Sequence, residues 1–245
     1  MARLLKLPEE ALMMSLRHGF FDDFQGFLTA TSTAKYTVVT VTDGSVTQKD
    51  ARPGGVAIVS AVASAAGNED CYLAREAETF CPAADKPISF GALVQATEDD
   101  TNQNNLIVGL TNAVAADLLV NDGAGPKTSG TTLAFFKKDG GLNWWVHVSL
   151  GSTQSSVELT AVNSLDKIAH VGSGSADQLL EIDFLPKNST QADVIFKIDG
   201  IAVYKFTDWV FTSATDVQAV AGVKDGDAGD EVTLNLRSWY CYQAR

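Results

Sequence analysis

The pattern of apolar and polar positions changes character near Phe20. Before it the spacing is helical: Leu12, Met13 and Leu16 form a stripe, and Pro8 suits a first helical turn. Glu9 and Glu10 face the positive end of the helix dipole, Arg17 and His18 face the negative end, and Gly19 can close the helix. The spacing predicts one short helix over residues 8–18. With Leu4, Leu5 and Leu7 ahead of it, residues 1–19 read as an apolar N-terminal arm that docks on its own domain or on a neighbour.

Beyond Phe20 strict alternation takes over. Ile88, Phe90, Ala92 and Val94 fall on one face of a strand over 88–96, and β-branched residues fill 35–43. The same test selects 142–150, 157–162, 179–185, 193–198 and 231–242. Turn signals separate them: Asp43-Gly44, Gly54-Gly55, Asp122-Gly123, Asp139-Gly140, Asp225-Gly226. Asp199-Gly200, between VIFKI and IAVYKF, is the pair that a two-residue type I′ hairpin favours. The expected fold is all-β, a two-sheet antiparallel jelly-roll sandwich over residues 20–245 with the short helical arm in front.

Charge narrows the partners. The 245-residue chain carries 18 Lys+Arg against 30 Asp+Glu, a formal net charge of -12. That balance repels phosphate backbones, and no basic stripe offsets it, so nucleic acid is not an expected partner. No apolar run approaches the ~20 residues of a membrane-spanning helix, so neither is a membrane. Glu9 and Glu10 interrupt any h-region, so no secretory signal is expected. The cysteines, Cys71, Cys81 and Cys241, are odd in number and expected to be reduced. His18, His147 and His170 are scattered, and neither a metal spacing nor a cofactor fingerprint appears.

One tetrapeptide carries a sharper signal. In Glu181-Ile182-Asp183-Phe184 alternation sends both carboxylates to one face at roughly 7 Å spacing. The run resembles part of the E-x-D-x-E or E-x-D-x-x-E signature of the jelly-roll β-glucanases, in which the first Glu is nucleophile, the Asp tunes it and the last Glu is the acid/base. A retaining mechanism needs that second carboxylate. Leu185 and Pro186 occupy its positions, so no hydrolysis is expected; the alternative reading is the polar side of an edge strand, where Pro186 is tolerated. The acidic loop at 224–231 offers Asp225, Asp227, Asp230 and Glu231 to a hard cation, but Gly229 and Asp230 depart from the D-x-D-x-D-G order and a solvated turn is the simpler reading. Of the adjacent Trp144 and Trp145, one faces the core and the other outward, where Trp145 is a candidate contact for a glycan or a protein partner. Trp239 and Tyr242 are read as core, while Trp209 suits either role.

The order of pieces has its own resemblance. An FDDF opening at 21–24 leads to a GG-led strand at 54–62, YLAREAETF at 72–80 and PISFGALVQATE at 87–98. Then come IVGLTNA at 107–113, LAFFKKDGGLNWWVHVS at 133–149, VIFKIDGIAVYKF at 194–206 and LNLRSWYCYQ at 234–243. This succession resembles the concanavalin-A-like jelly-roll proteins of tailed-bacteriophage virions. The resemblance implies a non-enzymatic virion structural protein, a capsid decoration or cement subunit made in host cytoplasm and carried on the capsid surface. Its implied partners are the major capsid protein and further copies of itself, as a dimer or trimer. Leu4, Leu5, Leu7, Leu12, Met13, Leu16 and Trp145 are the expected contact residues. The alternative from the residues is a lectin-like module that binds surface glycans.

Overall fold

The computed structural model describes residues 17–24, 35–40, 44–49, 54–60, 69–75, 79–98, 104–112, 114–120, 125–127, 130–150, 153–160, 176–211, 215–226 and 231–244. Every regular element among them is a strand. In chain order the first six are β1 (Arg17–Asp22), β2 (Thr37–Thr40), β3 (Ser45–Gln48), β4 (Val56–Val59), β5 (Asp70–Ala74) and β6 (Ile88–Glu98). There follow β7 (Asn104–Thr111), β8 (Leu119–Val120), β9 (Gly125–Pro126), β10 (Thr132–Lys137), β11 (Trp145–Leu150) and β12 (Thr153–Glu158). The last are β13 (Gln178–Pro186), β14 (Gln191–Ile198), β15 (Ile201–Val210), β16 (Gln218–Asp225) and β17 (Val232–Ala244).

They build two large antiparallel sheets. An eight-stranded sheet runs β15-β14-β13-β6-β17-β4-β3, and β1 pairs the C-terminal half of β17 where β4 pairs its N-terminal half. A seven-stranded sheet runs β12-β11-β10-β7-β16-β5-β2, and β8 with β9 forms a small ribbon of its own. Alternation explains what lies between the sheets: Phe90 and Val94 of β6, Ile182 and Phe184 of β13, Val108 of β7 and Phe135 of β10 share one core with Trp144 and Trp239. The strands of the seven-stranded sheet read less like alternation and more like continuous apolar runs. The reason is a second cluster on that sheet's outer face, where Tyr72, Ile107, Ala134, Phe136 and Val220 are covered by Leu118 and Leu119. The hairpin at Asp199-Gly200 has φ of 51° and 79° at its two turn residues, as a type I′ turn requires.

Several sequence expectations need correction. Arg17 and His18 end no helix: they belong to β1, which pairs residue for residue with β17 from Arg17↔Ala244 to Asp22↔Trp239. Gly19 faces Tyr242 there, and a Cβ on it would sit 2.5 Å from Tyr242 Cδ1, so its use is close approach rather than helix capping. The sandwich therefore takes in residues 17–19. Residues 1–16, with Leu4, Leu5, Leu7, Leu12, Met13 and Leu16, lie outside the described residues. The long strand expected over 72–80 stops at Ala74, where Arg75 turns its guanidinium over the Phe20 and Tyr36 rings, 4.8 and 5.1 Å from their centroids. Strand β13 is interior, between β6 and β14, with Pro186 at the end of its ladder. Cys71, Cys81 and Cys241 are all free thiols, and burial pushes Cys71 up to about 12, so that thiol stays protonated.

Candidate functional site

The outer face of the eight-stranded sheet gathers polar and aromatic side chains by register alone. Across β14, β13, β6, β17 and β1 one row of cross-strand partners reads Lys197, Glu181, Gly91, Tyr240, Phe21. The next reads Ile195, Asp183, Ser89, Tyr242, Gly19. Cross-strand partners share a face, so ten side-chain positions from five strands form one surface. Their neighbours along each strand, such as Phe90, Ile182, Trp239 and Phe20, point the other way into the core.

Two glycines let the rings lie flat. A Cβ on Gly91 would fall 2.4 Å from Tyr240 Cε1, so Tyr240 covers that glycine as Tyr242 covers Gly19. The two tyrosines stack on each other at 5.7 Å with 25° between their planes. Tyr240 donates its hydroxyl to Glu181 Oε1 at 2.9 Å. Burial first, and then the Glu181 carboxylate, raise the Tyr240 phenol well above its ordinary value, so it remains a donor at any physiological pH. Ser89 Oγ donates to Asp183 Oδ1 at 2.9 Å, and Lys197 Nζ pairs with Asp183 Oδ2 at 2.6 Å. The Asp183 contact raises the Lys197 ammonium, which keeps it charged. Phe21, 59% exposed, extends the aromatic surface beside Tyr240.

This arrangement offers flat rings for the C–H face of a sugar and fixed carboxylates, a hydroxyl and an ammonium for its hydroxyl groups. Bond cleavage has less to work with. Leu185, 39% exposed on the same face, stands where the last Glu of the glucanase pattern belongs. The residue opposite it is Asp193, held by Lys187 at 2.7 Å, Lys205 at 2.6 Å and the Asp208 amide at 3.1 Å. Burial alone would raise Asp193, but those two lysines and the amide outweigh it and hold the carboxyl well below the usual carboxylate range. A general acid needs the opposite shift, toward the protonated form.

Elsewhere the sequence-predicted residues scatter. Trp144 is in the core as expected of one of the pair, and its indole donates to Gln178 at 2.9 Å. Trp145 faces outward on the other sheet against Phe136, with Lys138 Nζ 3.8 Å over its ring. Trp239 is core, whereas Tyr242 belongs to the outer face. Trp209 packs at the margin of the core. Of the acidic loop, Asp225 is buried and Glu231 half-buried, while Asp227 and Asp230 lie outside the described residues. Among the described residues no three His, Cys, Asp or Glu side chains converge as a metal site. Tyr240, Ser89 and Lys197 escaped the sequence reading, which took Tyr242 for core. Their signal is the alternation of Trp239-Tyr240-Cys241-Tyr242, but only the strand register brings them to Glu181.

No protein-family model and no curated protein matches the chain. Solved structures do. An endo-1,3-beta-glucanase from Streptomyces sioyaensis superposes with a TM-score of 0.61 at 13% identity, over 94% of this chain and 97% of that one. A lectin II of Ulex europaeus, UEA-II, solved with galactose, gives 0.57 at 10% identity, over 93% and 99%. The carbohydrate recognition domain of Emp47p gives 0.57 at 8% identity, over 93% and 95%. The fold is thus the concanavalin-A or legume-lectin-like jelly roll, an architecture that hosts both lectins and a glucanase.

Proposed function

We propose that the protein is a carbohydrate-binding, non-hydrolytic domain whose glycan surface is the outer face of the eight-stranded sheet. The observation that carries this reading is the two-row array itself: stacked Tyr240 and Tyr242 flanked by Glu181, Asp183, Ser89 and Lys197. A purely structural sheet face has no need of paired glycines that keep two rings flat and half-exposed. The fold's occurrence in lectins agrees with it, and the apolar Leu185 together with the pinned Asp193 argues against hydrolysis.

Glycan-array screening followed by calorimetry on the best oligosaccharide tests the proposal. Tyr242→Ala is expected to weaken binding at least about tenfold, as for a residue at the centre of a contact, while product analysis shows no cleavage. Absence of any oligosaccharide binding, or binding indifferent to Tyr242→Ala and Glu181→Gln, overturns it.

A second reading, a capsid decoration subunit of a tailed-phage virion, has one structural observation in its favour: the exposed Phe21 on β1, which directly follows the apolar segment 4–16. The virion succession of strands supports it too, although none of the three neighbours named is described as a virion protein. Its partners would be the major capsid protein and further copies of the chain. Stoichiometric, icosahedrally ordered co-purification with capsids is the expected result, and its absence removes this reading without touching the first.

A further inference from the structure

Among the described residues, a carboxylate at one end of the sandwich has nothing to bind. Glu69 is 3% exposed and neither of its oxygens has a hydrogen-bond partner; Asn104 is 0% exposed and neither end of its side-chain amide has one. They are neighbours of Asp225. Asn104 and Asp225 are cross-strand partners on β7 and β16, and Glu69, just ahead of β5, exchanges bonds with Asp225: its amide donates to Asp225 Oδ1 at 2.5 Å and its carbonyl accepts the Asp225 amide at 3.2 Å. Alternation sends all three side chains inward. Cys71 and Leu73 of β5, Leu106 and Val108 of β7, and Ala221 and Val223 of β16 lie in the inter-sheet core, and Glu69, Asn104 and Asp225 continue those three rows.

A buried ionised carboxylate without a partner consumes a large part of the net stability of a folded domain. Protonating Glu69 leaves the same problem, since no acceptor among the described residues lies within hydrogen-bond range of it. Lys137, at the same end, gives its Nζ to the Asn104 carbonyl at 2.8 Å and the Lys138 carbonyl at 3.3 Å, and no ion pair among the described residues reaches Glu69. What matches two carboxylates and an amide oxygen at this buried position is a hard divalent cation.

We propose that Glu69, Asn104 and Asp225 form a buried calcium site at this end of the inter-sheet core. Glu69 supplies both oxygens, Asn104 its Oδ1 and Asp225 a second negative charge, with water completing the 6–8 oxygen shell that calcium takes. The site replaces the loop-only ligand set suggested by Asp225, Asp227, Asp230 and Glu231, and it departs from the expectation of a metal-free chain. It lies in the interior, away from the glycan face, and stands independently of the carbohydrate reading.

Thermal denaturation of the full chain with calcium and with chelator decides it. Calcium at a hundredfold excess over its Kd should raise Tm by about 5–10 °C. Glu69→Gln, which preserves shape, should abolish that rise, and Asn104→Ser should weaken calcium binding at least about tenfold by calorimetry. An Asp227→Asn/Asp230→Asn double variant should keep the rise. No calcium-dependent shift in the parent chain, an equal shift in Glu69→Gln, or loss of the shift only in the loop double variant each overturns the site. If Glu69→Gln does not fold, calorimetry on Asn104→Ser and the parent chain decides instead: a tenfold loss of calcium affinity upholds the site and an unchanged affinity overturns it.

Discussion

Tyr72 on the seven-stranded sheet and Tyr240 on the eight-stranded sheet are built alike. Each lies over a glycine of the neighbouring strand, Gly222 and Gly91, and each donates its hydroxyl to a carboxylate at 2.9 Å, Asp70 and Glu181. Their surroundings differ. Leu118 and Leu119 cover Tyr72, the Leu119 amide donates to its hydroxyl at 3.1 Å, and buried Lys224 reaches Asp70 at 3.2 Å and Asp117 at 2.9 Å. Burial raises Asp70 above its ordinary range in spite of Lys224 and its hydrogen bonds. Around Tyr240 no described residue closes over, and the ring, carboxylates and ammonium stay half-exposed. One ring-over-glycine arrangement serves as core when capped and, in the carbohydrate-binding proposal, as a recognition surface when left open.

The largest test of that contrast is Lys224→Met. It leaves Asp70 buried without its cation and is expected to cost about 3–5 kcal/mol, a Tm loss of roughly 10 °C, whereas removing Lys197 from the open face should change Tm little. Next in size is an acid effect on the covered sheet. His147 donates or accepts through Nδ1 with Ser156 at 2.8 Å, its Nε2 is buried without a partner among the described residues, and burial lowers its pKa from 6.5 to about 4. The unfolded chain therefore takes up a proton that the native state refuses, so the stability His147 contributes is present above pH 6.5 and falls away as pH drops toward 4. Urea titrations should show a loss of up to about 3 kcal/mol over that window, and His147→Gln should flatten it.

A smaller difference separates the two tyrosines. Tyr72→Phe should cost about 1–3 kcal/mol because Asp70 and the Leu119 amide lose a buried partner. Tyr240→Phe should cost less than about 0.5 kcal/mol, as half-exposed positions do, yet weaken glycan binding. Smallest in Tm is Gly91→Ala, which must lift the Tyr240 ring off the sheet. Calorimetry should find the oligosaccharide affinity down about tenfold while the denaturation curve barely moves.

Local pattern made part of this legible. The alternation of Glu181 and Asp183 against Ile182 and Phe184, and the Asp199-Gly200 turn, depend on residues close in the chain, and β13, β14 and β15 form as their sequence implies. Gly19 shows the opposite case. Beside Arg17 and His18 it has every local mark of a helix end, and only pairing with a strand more than two hundred residues away makes it the floor under Tyr242. The proposed glycan face has the same origin, since Ser89, Glu181 and Tyr240 meet through register across β6, β13 and β17. Continuous apolar runs such as Leu133–Phe136 carried a further signal, a strand buried on both faces, which alternation alone passes over.

Strand β17 comes after every other described strand in chain order, yet it is among the first that the eight-stranded sheet requires. It pairs with β6 along eleven residues and also holds β4 and β1, so β1 has no sheet partner until β17 arrives. Until β17 forms, β6 has one side of its backbone unpaired and the jelly roll cannot close. Slow refolding governed by long-range pairing, and exposure of an unmatched strand edge to other chains during that interval, follow from where β17 sits.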